Sequence, residues 1–290
     1  MKNSFHIIVL VFFTFFISCK KSDRVVDDPQ QGTITIAADE SFQSVAEALT
    51  ERYMALNPKT KINLIIQKED LAFLDLLDQK VRAIILSRDL TDEEKAAFKK
   101  KIDMDLLPGK FAADAVVFVV PKNSSRTEIS MEEIEKELQS DEKKIIFDGT
   151  NSSNLNFVAQ KLNKIPSELK FSIIKGNKNV IEEINKYPDK IGVISLNTIS
   201  RPYDKTSQDL RNSVKILPVV SKNISYTPEI ENIRSLKYPF TRVLYFITNE
   251  AYYGLANGLI RFSCQQLGQI VVSKEGLQPY NIFRREVQMR

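Results

Sequence analysis

From residue 33 onward, short apolar, β-branched runs alternate with longer amphipathic stretches. That alternation restricts the chain to an α/β architecture. Thr33-Ile34-Thr35-Ile36-Ala37 has the two-residue period of a strand, and residues 41–56 follow as a helix with Val45, Leu49 and Tyr53 four apart. Residues 61–66 read as the next strand and 71–77 as the next helix. Ala83-Ile84-Ile85-Leu86 is a continuous apolar run, as a parallel strand covered on both faces requires. Thr91 and Glu94 have the spacing of a capping box opening another helix. Further strands are predicted at 115–120, 144–147, 171–174, 191–195, 214–219 and 243–247. Helices are predicted at 130–138, 154–162, 180–185 and within 252–271. Repeated βα units predict mostly parallel sheets with helices on both faces.

Ahead of this domain lies a segment of different character. Lys2 precedes the apolar stretch 7–17, and Phe16-Ile17-Ser18-Cys19 has the form of a lipobox. A basic start, a short apolar core and a small residue before the cut are the parts of a secretory signal. A cysteine at the cut is the added feature of bacterial lipoproteins. The apolar stretch is shorter than the roughly 20 residues a spanning helix needs. The expectation is a signal peptide over 1–18, lipidation at Cys19, and a polar flexible tether over 19–31. The protein would then face the periplasm or the exterior, held to a bacterial membrane by lipid.

Composition excludes several chemistries. The single histidine, His6, lies in the leading segment. Without it the remaining chain cannot build Ser-His-Asp or Cys-His nucleophiles, or a histidine-containing zinc site. Phosphate-cradling Gly-Lys-Ser/Thr loops and G-x-G-x-x-G are absent from the sequence. The net charge of +4 is too small to argue for nucleic acid. With Cys19 lipidated, Cys264 has no partner for a disulfide, and its apolar helical neighbours suggest a small core residue. Neither a cofactor nor a metal is expected.

Three junctions between a strand and a helix carry small polar residues: Asp39-Glu40-Ser41-Phe42, Ser87-Arg88-Asp89, and residues 148–154 from Asp148 to Asn154. Ligands of open α/β sheets gather at the carboxyl ends of strands, where helix N-termini offer free N–H groups to anions. Ser41, Ser87, Ser152 and Ser153 can add hydroxyl donors, and Arg88 a planar fork for a tetrahedral oxyanion. A serine or aspartate before a helix is equally well explained as a cap. The case for a site rests on three such junctions in one architecture.

With these junctions in view, the chain resembles the phosphate-binding component of Pst-type importers, a family with the type II periplasmic-binding-protein fold. Six segments carry the resemblance in order: 32–58, 84–94, 112–118, 147–154, 189–193, and 267–271 with 276–279. The resemblance implies two α/β lobes joined by two crossing strands. Lobe 1 is expected from 32–118 and 239–290, and lobe 2 from 119–238. It also implies a ligand site at Ser41, Phe42, Ser87, Arg88, Asp114, Ser152, Ser153 and Asn154. The implied protein is a monomeric, non-enzymatic binding protein that captures phosphate or a similar oxyanion for an ABC permease. Two other classes stand beside it: an oxyanion-binding or surface lipoprotein acting as sensor or assembly factor, and a phosphate-ester hydrolase, which the lack of histidine disfavours. The chain departs from the family pattern at Ser152-Ser153-Asn154, where glycine and threonine usually follow the serine. It departs again at Asp148, where many members carry arginine. A carboxylate there repels a dianion unless it accepts the ligand's proton or points away.

Overall fold

A computed structural model describes residues 27–283. The expected signal peptide, Cys19 and the first part of the expected tether lie outside the described residues. The chain enters through β1 (Gln31–Ala38), turns through a short 3₁₀ segment (Glu40–Phe42) into α1 (Gln43–Leu56), and continues as β2 (Lys59–Ile66), α2 (Glu69–Leu77), β3 (Ala83–Leu86) and α3 (Asp92–Ile102). A long strand, β4 (Gly109–Pro121), then leads into β5 (Ile129–Ser130), α4 (Met131–Glu137), β6 (Ile145–Phe147), α5 (Ser153–Lys161), β7 (Ser172–Ile173), α6 (Asn177–Glu183) and β8 (Ile191–Ser195). After α7 (Lys205–Ser213), β9 (Val214–Leu217), β10 (Val219–Ser221), β11 (Ile224–Tyr226) and α8 (Ile230–Arg234), the chain returns through β12 (Thr241–Thr248) to α9 (Leu255–Cys264), α10 (Gln266–Lys274) and β13 (Gln278–Pro279). The fold is α/β, with two lobes joined by the crossing strands β4 and β12.

The strand order β2-β1-β3-β12-β4-β8-β6-β7 shows how the lobes connect. Residues 109–115 of β4 pair with β12 and β13. From Val116 onward the same strand pairs with β8 and β9. One strand therefore belongs to two sheets and changes partners at Ala115/Val116. The parallel pairing expected from βα units is present on either side, between β1 and β2, β1 and β3, β6 and β8, and β6 and β7. The centre is different: β12 runs antiparallel to both β3 and β4, and β4 antiparallel to β8 and β9. Helix-period patterns reveal βα units but not the direction in which a strand crosses between lobes.

Burial follows the same division. One apolar core takes all its buried members from Ala113 to Phe240. Two others draw on residues before Ala113 and after Arg242, around Phe111, Leu244 and Leu259 in one case and Phe73, Leu76 and Tyr245 in the other. Phe118 of β4 packs edge-on against Phe240, ring centroids 5.0 Å apart, which fixes the exit from lobe 2 against the strand that entered it. Cys264 is half-buried rather than in the core, its thiol pushed up to about 11 by burial. Several ends are set locally. The Thr91–Glu94 capping box opens α3, with acidic residues in its first turn and lysines in its last, matching the helix dipole. Pro218 divides the strand expected over 214–219 into β9 and β10, since proline has no N–H for a ladder.

The tether expected through residue 31 ends sooner. Asp27 accepts the N–H of Leu255 at 3.0 Å and pairs with Arg82 at 3.1 Å. The Pro29 carbonyl accepts the Tyr53 hydroxyl. These contacts stitch residues 27–31 to α1 and α9, so the domain begins by Asp27. Tether composition and domain-edge composition are the same polar residues, and only the partners distinguish them.

Candidate functional site

The cleft is built where strands of both lobes end and helices begin. In lobe 1, β1 delivers Asp39 and Ser41, β2 delivers Lys68 and Glu69, and β3 delivers Ser87 and Arg88. In lobe 2, β6 delivers Asp148 and Ser153, β7 leads to Asn177 through Gly176, and β8 ends at Ser195. The crossing strands form the floor with Asp114 and Arg242. Gly176 sits at φ +92, and a Cβ there would lie 2.8 Å from the Glu40 carboxylate, so only glycine fits this approach between lobes.

At the centre is the carboxylate of Asp39, fully buried. One oxygen accepts the Ser41 N–H at 2.9 Å. The other accepts the N–H of Glu69 at 3.1 Å and of Ser153 at 3.2 Å. The last two are the first residues of α2 and α5, one from each lobe. Two helix N-termini and one turn thus converge on a single anionic group, the arrangement with which helix termini bind oxyanions. Burial, with the charge of Asp148, raises the Asp39 carboxyl above the usual carboxylate range, against the pull of Lys68 and the Ser41 N–H.

Asp148 stands beside this centre. It accepts Lys68 Nζ at 2.9 Å across the cleft, Asn177 Nδ2 at 3.2 Å and Asn154 Nδ2 at 3.1 Å. Asn177 also accepts the Ser195 N–H and donates to Ser41 Oγ. Burial would lower the lysine, but Asp148 and Asp39 raise it and prevail, so it stays charged. Where the family pattern has a cation on lobe 2, this chain has a carboxylate there and a cation opposite.

On the floor, Asp114 and Arg242 face each other in register across β4 and β12, both side chains fully buried. Asp114 accepts Arg242 Nε at 2.9 Å, Arg242 Nη2 at 2.7 Å, the Ser195 hydroxyl at 2.8 Å and the Asn197 N–H at 3.1 Å. The guanidinium lies 4.7 Å from the ring centre of Phe42. Its remaining nitrogen, Nη1, stands 3.5 Å from both Ser87 Oγ and Ser153 Oγ.

The expected site residues are therefore brought together, but several have different duties. Arg88 does not present a free fork. Its donors go to Glu69 at 2.9 Å, to both oxygens of Glu94 at 2.7 Å, and to Asp70 at 3.4 Å. Burial raises the Glu69 carboxyl despite the Arg88 charge. Ser152 is the cap of α5, accepting the Leu155 N–H at 3.4 Å. The Phe42 N–H goes to the Asp39 carbonyl at 2.9 Å, and its ring supports Arg242. Asp114 is saturated by Arg242, Ser195 and Asn197. Ser41, Ser87, Ser153 and Asn154 remain at the centre, and Asn154 Oδ1 is buried without a protein partner among the described residues. Sequence reasoning missed Lys68, Glu69, Asn177 and Arg242. The first three lie at strand–helix junctions and were open to the same rule. Arg242 lies inside a strand, and only the register with Asp114 reveals it. Beside the centre, a groove of about 250 Å³ is lined by Glu40, Ser41, Gln43, Asn177 and Asn197. Among the described residues there is no cluster of His, Cys, Asp or Glu able to hold a metal, and no helix long and apolar enough to cross a membrane.

Two outcomes follow from this geometry. Arg242→Met leaves a buried carboxylate without its cation and should lower stability by about 3–5 kcal/mol. Adding Asp114→Asn should recover part of the loss in urea unfolding; a double variant no better than the single one would mean the pair is not the source. Glu94 titrates below its usual range: burial raises it, but the hydrogen bonds and charge of Arg88 lower it further. A depressed carboxylate contributes stability above its unfolded value near ~4.3 that is lost as pH falls toward the folded one. Glu94→Gln should therefore flatten the acid side of the stability profile, read by urea unfolding from pH 6 to 3.

The PBP superfamily domain matches residues 26–266. The chain is 26% identical over 294 residues to the phosphate-binding protein PstS of Borreliella burgdorferi, covering 93% of this chain and 97% of the relative. The crystal structure of PstS from Borrelia burgdorferi superposes with a TM-score of 0.54 at 25% identity, over 86% of this chain and 99% of that one. A Clostridium perfringens protein, described as a phosphate ABC transporter substrate-binding protein and solved with bound phosphate, gives a TM-score of 0.70 at 18% identity, over 86% of this chain and all of that one. An ABC-type phosphate transport receptor from Vibrio cholerae gives 0.64 at 15%, over 84% and 99%. With a domain match spanning most of its length, two lobes on crossing strands and a cleft lined by helix N-termini, the chain belongs to the PBP superfamily.

Proposed function

We propose that this chain is an extracytoplasmic solute-binding protein that captures phosphate between its lobes for an ABC importer. One observation carries the reading. The N–H groups of Ser41, Glu69 and Ser153, from both lobes, converge on one buried carboxylate. Asp39 there stands in for an oxyanion, and the cradle around it suits two or three oxygens of a tetrahedral ligand. Ser87, Ser153 and Arg242 stand at the edge of the same cradle, within reach of further ligand oxygens. The names of the relatives in Borreliella, Clostridium and Vibrio support phosphate over other anions. Hydrogen phosphate keeps a proton near neutrality and sulfate does not. Acidic groups around the cradle, Glu40 and Asp148 among them, can accept that proton and repel sulfate.

A second reading has one observation in its favour. The donors are occupied by the protein's own carboxylate, which suits a lobe pair held shut in a sensor or assembly lipoprotein. Calorimetry with the full chain separates the two. Importer function expects saturable binding of one phosphate per chain and weaker binding of sulfate at matched ionic strength. No heat with either anion, in the parent and in an Asp39→Ser variant alike, would select the second reading.

Attachment to a membrane rests on Cys19 and the apolar stretch before it. Cys19→Ser should move the chain from the membrane fraction to the soluble one or stall its processing. A correctly cut, still detergent-dependent variant would remove the lipid anchor from the account.

A further inference from the structure

The family-typical way to fill an oxyanion cradle is with a ligand, yet this cleft already contains four fully buried carboxylates: Asp39, Glu69, Asp114 and Asp148. Three cations face them: Lys68, Arg88 and Arg242. The local balance is already negative before any anion arrives, and Glu94 and Asp70 claim part of Arg88 as well. Asp114 is neutralised by Arg242, Glu69 by Arg88, and Asp148 by Lys68. Among the described residues, Asp39 is the one of the four without a salt-bridge partner of its own. Its direct hydrogen bonds come from the three backbone N–H groups that form the cradle, with the charge of Lys68 acting from nearby.

We infer that Asp39 is an internal competitor for the oxyanion cradle, and that its carboxylate must leave the N–H groups of Ser41, Glu69 and Ser153 before phosphate can take them. This rests on the phosphate reading above and adds the residue that sets its affinity. The geometry leaves no room for sharing. A carboxylate and a phosphate on the same three donors would place two anions in van der Waals contact in a water-poor site, where like charges repel strongly. Asp39 also ties the lobes together, because two of its donors lie in lobe 1 and the third, Ser153, in lobe 2. Displacement by the ligand therefore exchanges one interlobe bridge for another. A fraction of molecules with Asp39 withdrawn is binding-competent, and apparent affinity is reduced by that fraction.

Asp39→Ser keeps a short polar side chain at the head of the turn but cannot fill the cradle. The variant should bind phosphate about tenfold more tightly or better in calorimetry. Asp39→Asn, with the same shape and no charge, should fall between the two. Circular dichroism checks that each variant is folded. Before phosphate is added, hydrogen exchange at the Ser153 amide should be faster in Asp39→Ser than in the parent, and phosphate should slow it again. Binding by the variant with none by the parent would be the strongest form of the result. Binding by the parent with equal or weaker binding by folded Asp39→Ser would overturn the competitor role and leave phosphate capture standing. Absence of phosphate and sulfate binding in parent and variant alike would overturn the phosphate reading and the competitor role with it.

Discussion

The cross-strand pair of Asp114 and Arg242 is the contact on which the two-lobe arrangement turns. It lies beside the place where β4 leaves its lobe 1 partners and takes up those of lobe 2. A buried ion pair earns little net stability when compared with apolar residues of the same shape, but removing one partner is severe. What the pair does here is orient. Asp114 also holds the Ser195 hydroxyl and the Asn197 N–H, so the end of β8 is fixed to the floor. Arg242 rests on Phe42 and points its remaining nitrogen at Ser87 and Ser153. The ends of four strands, β1, β3, β6 and β8, are thereby referred to one rigid pair.

Around that floor, this cleft distributes charge in an unusual way. Asp148 occupies the place of an expected cation, and Lys68 answers it from the other lobe at 2.9 Å. The interaction is therefore between lobes, where a cation on lobe 2 would have been a matter for the ligand. Asn154 and Asn156 donate their amide N–H groups to the surrounding carboxylates, and Asn177 both donates and accepts among them. Such a network is stable only when nearly every member is satisfied. The contacts of Gln160 with both the N–H and the carbonyl of Asp89 extend the lobe contact outward.

Much of the fold was legible because local signals and tertiary structure agree. The run at 83–86 and the capping box at Thr91 and Glu94 are where the sequence placed them. The antiparallel centre was not legible, since strand direction depends on the whole path and not on periodicity. The Asp39, Ser87 and Asp148 junctions were recognisable as places where strands meet helices. Their duties were not, because the choice between cap, ion pair and ligand contact depends on what stands opposite. Arg88 shows this most clearly: its fork looks free in the sequence, yet Glu69 and Glu94, one before it and one after, close on it in space. Arg242 was invisible for the opposite reason, as a lone charge in an apolar strand until Asp114 is found directly across from it.

The shared strand also divides the chain unequally between the lobes. Lobe 2 is continuous in the chain, and its core needs nothing beyond Phe240. Lobe 1 is interrupted: the edge of β3 waits for β12, and α1 waits for α9 and α10. A chain emerging from its N-terminus can finish the second lobe while the first still shows an unpaired strand edge, the kind of surface that invites wrong partners. The lobe begun first in sequence is thus the one completed only by the last strands of the chain, with β12 lying between β3 and β4.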